Sequence, residues 1–240
     1  MLDLSSRAAV ITGATGNLGA AVVRAYLTRG THVAIAVRDA AKGEALRSSL
    51  GDLAGTSDDP RLLVVPADPA DAAAMEALVE RVLRAWGRLD ILNNLAGTFD
   101  AGSALDARLM RELWDTNVMT AVNAAAACVK PMRARGYGRI VSVAAIGALK
   151  GTRNTAAYSM SKSAVVRWTE SLAAELKTEG VTVNAVVPTT IDHPVNRTQM
   201  PKADPKLWPS PEEVANVILF LSSADASGLN GAAIPITART

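Results

Sequence analysis

Tyr158 and Lys162 lie four residues apart in the segment Tyr158-Ser159-Met160-Ser161-Lys162. On a helix, this spacing places a phenol beside an ammonium group on one face. A nearby cation favours the phenolate, so we expect Lys162 to lower the pKa of Tyr158 from its usual value of about 10. The pair would then be a proton donor that works near neutral pH. The same spacing also fits two surface residues of an amphipathic helix. Other features of the sequence are therefore needed to decide between a catalytic pair and two surface residues.

Short apolar segments alternate with helical periodicity along the whole chain. This alternation predicts a doubly wound α/β fold, in which about seven parallel strands carry helices on both faces. Glycines at 30, 87 and 180 follow three helical patterns and are expected to end them. The predicted strands are residues 8–11, 32–37, 62–65, 91–92, 140–143, 181–187 and 233–236. The predicted helices are residues 18–29, 40–50, 72–86, 107–135 and 212–221, with a further helix that carries Tyr158.

The composition limits the class of protein. Of 240 residues, 49% are apolar, and no apolar run is long enough to cross a bilayer. The 25 basic and 23 acidic residues nearly cancel and are scattered along the chain. We therefore expect one domain over residues 1–240 that binds a small molecule and neither nucleic acid nor membrane.

Cys128 is the only cysteine, and the chain has two histidines and no clustered carboxylates. We therefore predict no disulfide and no metal site. The N-terminal residues lack a secretory or transit pattern, which favours the cytoplasm as the location of the protein.

The one long stretch without periodicity is residues 189–209. We interpret it as a substrate lid, because such long loops in compact domains are functional or disordered.

A glycine-rich segment follows the first predicted strand and opens the first predicted helix. Glycines at such a turn let the backbone approach a pyrophosphate, whose charge the helix N-terminus favours. An ordinary tight turn would also contain glycines, but the complete second βα unit that follows favours nucleotide binding. The predicted contacts are Gly13, Thr15, Gly16, Asn17, Leu18 and Gly19.

With this segment and the Tyr158 and Lys162 pair, the chain resembles the short-chain dehydrogenase/reductase family over nearly its whole length. The resemblance implies a Rossmann fold and an NAD(P)-dependent oxidoreductase. The family's middle glycine falls at Asn17, and we expect asparagine to be tolerated there because it adopts positive φ more readily than most residues.

Two further segments resemble cofactor contacts of the family. Asp68 matches the acidic residue after strand three that recognises adenine. The run Asn94-Leu95-Ala96-Gly97 resembles the family's Asn-Asn-Ala-Gly with one asparagine lost. The resemblance therefore implies cofactor contacts from Asp68, Asn94, Ala96 and Gly97.

The end of the second strand bears on the choice of cofactor. An acidic residue there would bind the adenosine ribose and repel a phosphate on its 2′ oxygen, but position 37 is Val and Arg38 follows. Family members that prefer NADP commonly have this pattern, and a guanidinium suits a phosphate dianion. We predict NADP(H), with NAD(H) as the alternative if Arg38 is only a solvated charge.

Three of the four catalytic positions of the family are present. Asn117 matches the asparagine that supports a proton relay, while Tyr158 and Lys162 match the general acid and the ribose-binding lysine. The serine that orients the substrate carbonyl falls thirteen residues before the tyrosine, where this chain has Ala145. Ser142 would point to the opposite face of an extended strand. The nearer replacements are Thr152, Asn154 and Thr155.

Alanine in the serine position resembles the dihydropteridine reductase branch, whose quinonoid substrate accepts hydride on a conjugated imine. Residues 188–201 resemble that branch's Pro-Val-Thr-Leu-Asp-Thr-Pro-Met-Asn-Arg run, although Val37 departs from its aspartate and its use of NADH. The resemblance implies cofactor contacts from Pro188 and Thr190. His193 is a candidate substrate contact or second acid, and the alternative is an exposed loop histidine.

We therefore predict an NADP(H)-dependent oxidoreductase that transfers hydride to a C=O, C=N or quinonoid group, with Tyr158 as the proton donor and Ala145 beside the substrate. The alternative is a catalytically degenerate subunit that binds nucleotide as a sensor or scaffold. Family members usually form dimers or tetramers through the helices that contain Asn117 and Tyr158, so we expect a homodimer or homotetramer.

Overall fold

Residues 2–239 are described by a computed structural model, in which seven parallel strands form one sheet. The strand order is β3-β2-β1-β4-β5-β6-β7. The strands are β1 Ala8–Thr12, β2 His32–Val37, β3 Leu62–Pro66, β4 Ile91–Asn94, β5 Gly138–Val143, β6 Val181–Pro188 and β7 Ala233–Ile236. The predicted sheet is confirmed. The order in which successive strands are added to the sheet reverses between β1 and β4. A crevice therefore opens beyond the carboxyl ends of these two parallel strands, where ligands bind in such folds.

Helices cover both faces of the sheet, as predicted. They are α1 Asn17–Thr28, α2 Ala40–Leu50, α3 Ala72–Trp86, α4 Ala107–Trp114, α5 Thr120–Arg135, α6 Ala156–Leu176, α7 Pro194–Gln199 and α8 Pro211–Leu221. One apolar core lies between the sheet and α1, α2 and α8, and a second lies between the sheet and α3, α5 and α6. Strands β1 and β2 are buried on both faces, which explains their nearly continuous apolar sequences.

Local sequence signals fix the ends of several helices. Asp39, Asp71 and Asp106 each accept hydrogen bonds from backbone N–H groups in the first turns of α2, α3 and α4. The glycines at 30, 87 and 180 all have positive φ, between 67° and 79°. Gly30 and Gly87 lie at the ends of α1 and α3, as predicted. The prediction for Gly180 is wrong, because α6 already ends at Leu176 with Lys177 as its C-cap, and Gly180 lies in the turn that leads into β6. Within the described chain, no helix is both long and apolar enough to cross a membrane.

Two further predictions about elements are wrong. The helix predicted over 107–135 is interrupted by a π-helical turn, Asp115–Met119, which separates α4 from α5. The stretch 189–209 is not devoid of regular structure, because it contains α7 and the short 3-10 turn Pro205–Leu207. Proline begins both of these short segments, where its fixed φ suits a first helical position.

Candidate active site

A cleft of about 750 Å³ lies at the carboxyl ends of β4, β5 and β6, between the loop after β4 and the segment that contains α7. Its walls bring together residues that are up to about a hundred positions apart in the sequence. The predicted site residues that line it are Gly97, Ala145, Tyr158, Lys162, Pro188 and Thr190.

Tyr158 and Lys162 lie on α6, where Tyr158 is half-buried and Lys162 is 6% exposed. The ammonium Nζ lies 6.0 Å from the centroid of the Tyr158 ring and donates a hydrogen bond to the Val143 carbonyl at 2.9 Å. Burial raises the pKa of Tyr158 to about 12 and lowers the pKa of Lys162 to about 8. The expectation of a lowered phenol pKa is therefore wrong in this structure, because desolvation of the phenolate dominates. At pH 7 the phenol is protonated and can donate its proton.

Asn117 lies in the π-helical turn and is 2% exposed. Its Oδ1 accepts the Thr98 N–H at 2.7 Å, and its Nδ2 donates to the Thr98 carbonyl at 3.1 Å. Nδ2 also donates to Ser161 Oγ at 3.0 Å. Asn117 thus fixes the loop after β4 against α6. Turns of π-helix inside α-helices are frequent at functional sites. Asn117 itself does not line the cleft, so it acts on the site through the groups that it holds.

Gly97 allows these groups to meet. A Cβ atom at this position would lie 2.7 Å from Asn117 Oδ1 and 3.2 Å from Lys162 Nζ. The first distance is shorter than any normal carbon contact, and both neighbours are buried and hydrogen-bonded. The absence of a side chain at 97 is therefore required for the observed positions of the amide and the ammonium.

We expect Gly97→Ala to displace Asn117 and Lys162 and to lower turnover about 100-fold, because small misplacements of positioned groups are costly. Overpacking should also lower the free energy of unfolding by about 1–3 kcal/mol. Steady-state kinetics and chemical denaturation would measure the two effects. Gly151→Ala is the matched control, because a Cβ at 151 meets nothing within 4 Å. Wild-type turnover by Gly97→Ala would contradict this account.

The glycine-rich turn lies between β1 and α1. Gly13 has φ of 68°, and a Cβ there would lie 2.6 Å from the Ala96 backbone nitrogen. Gly16 precedes α1 and, unlike the residues that cap α2, α3 and α4, offers no side-chain hydrogen bond to the first turn. Thr15, Gly16 and Asn17 are exposed and Leu18 is half-buried. The uncapped N–H groups of α1 thus fit a pyrophosphate.

Asn17 replaces a family glycine for a different reason from the one predicted. Asn17 is the first residue of α1 and is not among the residues with positive φ. Its ability to adopt positive φ therefore does not explain its presence at this position. Its side chain instead donates from Nδ2 to the Asp192 carbonyl at 2.9 Å. This bond ties the glycine-rich turn to the segment that precedes α7.

The other predicted cofactor contacts lie along the same edge of the sheet. Arg38 is exposed just beyond β2 and makes no hydrogen bond or ion pair with the described residues. Asp39 beside it is occupied in capping α2. Asp68 is exposed, and its Oδ1 accepts the Ala70 N–H at 3.0 Å. Asn94 is buried, and its Nδ2 donates to Ser142 Oγ at 3.2 Å.

Several predicted residues lie away from the cleft. His193 does not line it, and its Nδ1 instead accepts the Val195 N–H at 3.3 Å at the start of α7.

Ser142 is fully buried against Asn94, so it cannot replace the missing serine. The hydroxyls of Thr152 and Thr155 hydrogen-bond each other at 2.8 Å. None of the proposed replacements, Thr152, Asn154 and Thr155, lines the cleft.

Sequence reasoning missed three sets of residues. Thr12 Oγ1 accepts the backbone N–H groups of Leu95 and Ala96, both at 3.2 Å, and joins the glycine-rich turn to the loop after β4. Ser161 holds Asn117, and its place inside the Tyr158 to Lys162 segment was an available signal. Further side chains that line the cleft were not named as site residues. Phe99 lies in the loop between β4 and α4, whereas Val195, Gln199 and Met200 lie within the predicted lid, residues 189–209.

A doubly wound sheet with a nucleotide turn after its first strand and a tyrosine and lysine at its carboxyl edge is the architecture of an NAD(P)-dependent oxidoreductase. The model of the family described as short chain dehydrogenase matches residues 7–204. The chain belongs to this family. The predicted family is confirmed, whereas the likeness to its dihydropteridine reductase branch stays a prediction.

Named relatives cover almost the whole chain. The D-threitol dehydrogenase of Mycolicibacterium smegmatis is 33% identical, over 97% of this chain and 92% of that protein. The meso-2,3-butanediol dehydrogenase of Serratia marcescens is 31% identical, over 98% and 94%. A crystal structure of NAD+-bound xylitol dehydrogenase superposes with a TM-score of 0.88 at 25% identity, covering 98% of this chain and 99% of that one.

Proposed function

We propose that the protein is an NADP(H)-dependent reductase of C=N or quinonoid groups, with a weaker activity on simple carbonyls, and that Tyr158 donates the proton. The observation that carries this proposal is the composition of the cleft. Tyr158 and Lys162 line it, but Ala145 stands where the family has the serine that orients a substrate carbonyl. When bound, NADPH supplies a hydride, which is two electrons and one proton.

The chain has a candidate group for each part of this cofactor. The N–H groups at the start of α1 would bind the pyrophosphate, and Arg38 would bind the phosphate on the adenosine ribose. Asp68 would recognise adenine, Lys162 would hold the nicotinamide ribose, and Pro188 and Thr190 would contact the nicotinamide end. Asp39 is the acidic residue nearest to Arg38, and its commitment to the cap of α2 supports NADP(H) over NAD(H).

The missing donor at position 145 favours an electrophile that spreads its charge. A pKa of about 12 keeps Tyr158 protonated at pH 7, so its hydroxyl holds the proton that the reaction needs. A pKa of about 8 keeps Lys162 mainly protonated at pH 7. Reduction of a simple ketone concentrates negative charge on one oxygen, which needs a second donor that Ala145 does not offer. A conjugated imine or quinonoid ring distributes the charge and needs that donor less.

Arg38→Ala is expected to raise the Kd of NADPH about 10- to 100-fold and to leave the Kd of NADH nearly unchanged, because it removes a charge-assisted contact to a phosphate that only NADPH carries. Fluorescence titration with both cofactors would measure the two constants. Arg111→Ala, which removes an exposed arginine from α4, is the control. Equal effects of Arg38→Ala on the two cofactors would contradict the proposed preference.

The reaction itself is tested by oxidation of NADPH with two electrophiles, a quinonoid dihydropterin or cyclic imine and a simple ketone. We expect faster turnover of the imine-type substrate. A preference for the ketone would contradict the role given to Ala145. Association into dimers or tetramers through α5 and α6 stays a prediction of the family resemblance.

A further inference from the structure

The cleft exposes an unusual share of the apolar surface of the protein. Of the eleven large apolar side chains that are exposed in the described chain, four line this cleft: Phe99, Ile146, Val195 and Met200, with exposures of 58%, 40%, 51% and 36%. They come from three different segments that face one another around Tyr158. Clustered exposed apolar surface in a concave site favours a ligand that covers it.

Phe99 is the aromatic member of this set and lies against the proton donor. Its ring centroid is 4.9 Å from that of Tyr158, and the rings meet edge to face at 77°. The residue before it, Thr98, is held at both its N–H and its carbonyl by the buried amide of Asn117. The backbone beside Phe99 is thus fixed by the same residue that organises the catalytic groups, while more than half of the side chain stays uncovered.

The lining of the cleft offers little for ionic recognition of the substrate. Among the described residues that line the cleft, Lys162 is the only charged one. It is 6% exposed, and its Nζ donates to the Val143 carbonyl. A carboxylate or phosphate on the substrate would therefore lose its hydration without gaining a cation of its own, which is costly. The cleft suits a neutral molecule.

We propose that Phe99 determines substrate specificity by stacking against a flat, neutral, conjugated ring, and that the substrate class is fused-ring ortho-quinones and related cyclic imines. This inference rests on the proposed function. In the reaction, one hydride and the proton of the Tyr158 hydroxyl convert the quinone to its hydroquinone, NADPH becomes NADP+, and solvent returns a proton to Tyr158. The apolar side chains of Val195, in α7, and Met200, directly after α7, cover the ring from the other side of the cleft.

The first test uses two neutral diketones that differ in flat area, phenanthrenequinone and butanedione. We expect kcat/KM to be higher for phenanthrenequinone, and Phe99→Ala to lower the ratio of the kcat/KM values for phenanthrenequinone and butanedione about tenfold, through the KM of phenanthrenequinone. Phe99→Leu keeps an apolar cover over Tyr158 but removes the ring, so it should give the same loss. Leu105→Ala is the control, because Leu105 is 92% exposed on the same loop and does not line the cleft.

The second test measures binding without turnover, by calorimetry with fluorenone and fluorenone carboxylate. We expect fluorenone to bind at least tenfold more tightly than its carboxylate, and Phe99→Ala to weaken the fluorenone complex about tenfold. If both diketones resist reduction but fluorenone binding depends on Phe99, the binding role of Phe99 holds, whereas the reduction of quinones and the proposed function fail. If phenanthrenequinone is reduced faster than butanedione but Phe99→Ala changes neither turnover nor binding, the inference fails and the proposed function stands.

Discussion

Replacing Tyr158 with phenylalanine is expected to slow NADPH oxidation by about 10²- to 10⁴-fold, the usual contribution of a positioned general acid. The substitution removes only the hydroxyl, which makes no hydrogen bond with the described residues. The ring and its edge-to-face contact with Phe99 are retained. Folding stability and the Kd of NADPH should therefore change little. Steady-state kinetics, cofactor titration and chemical denaturation measure the three quantities on the same preparation.

Tyr137→Phe provides the matched control for this experiment. Tyr137 lies outside the cleft, and its buried hydroxyl also lacks a hydrogen-bond partner among the described residues, so its loss should leave turnover intact. Undiminished turnover by Tyr158→Phe would mean that another group supplies the proton. A large loss of NADPH affinity would mean that the phenol acts in binding the cofactor instead.

Ala145→Ser is expected to raise kcat/KM for a simple ketone by about 10²- to 10³-fold, because one well-placed donor to a developing oxyanion contributes on the order of 3 kcal/mol. Ala145 lines the cleft and has an extended backbone, with φ of −161° and ψ of 161°, which serine adopts without strain. Turnover of an imine-type substrate should change by less than about fivefold, because its charge is spread over the ring. Parallel kinetics with the two substrates would reveal the difference.

The control for the serine is Ala148→Ser, which adds the same hydroxyl three residues further along, outside the cleft lining. It should leave both activities at the wild-type level. If Ala145→Ser does not improve ketone reduction, the missing hydroxyl is not what limits that reaction, and the preference for an imine or quinone would need another cause.

The sheet could be predicted because each strand is a short apolar segment between clear helix signals. Gly30 and Gly87 marked the ends of α1 and α3 correctly, since positive φ is a local requirement of the turn, whereas α6 ends four residues before Gly180. The π-helical turn around Asn117 could not be predicted, because the helical periodicity runs through it without a break. It depends on distant partners, Thr98 and Ser161, that only the folded chain brings to the amide.

The sequence predicted the parts of the candidate site that lie in family motifs. It did not predict the properties that depend on contacts between distant residues. The expected lowering of the Tyr158 pKa took account of the neighbouring cation but not of burial, which raises that pKa and lowers the pKa of Lys162. The hydrogen bond from Asn17 to the Asp192 carbonyl joins residues 175 positions apart. Phe99 belongs to a loop with no periodicity, so its place beside Tyr158 follows only from the fold.

The most direct test of the central claim is the transfer of deuterium from NADPH labelled at both transferable positions of the nicotinamide. The protein in excess would be mixed with this cofactor and a quinonoid or cyclic-imine substrate, and the product analysed by mass spectrometry. We predict a product that carries one deuterium, formed by wild type and by Tyr137→Phe but about 10²-fold more slowly by Tyr158→Phe. Tight binding of NADPH without any labelled product would contradict the enzyme assignment and favour a cofactor-sensing subunit.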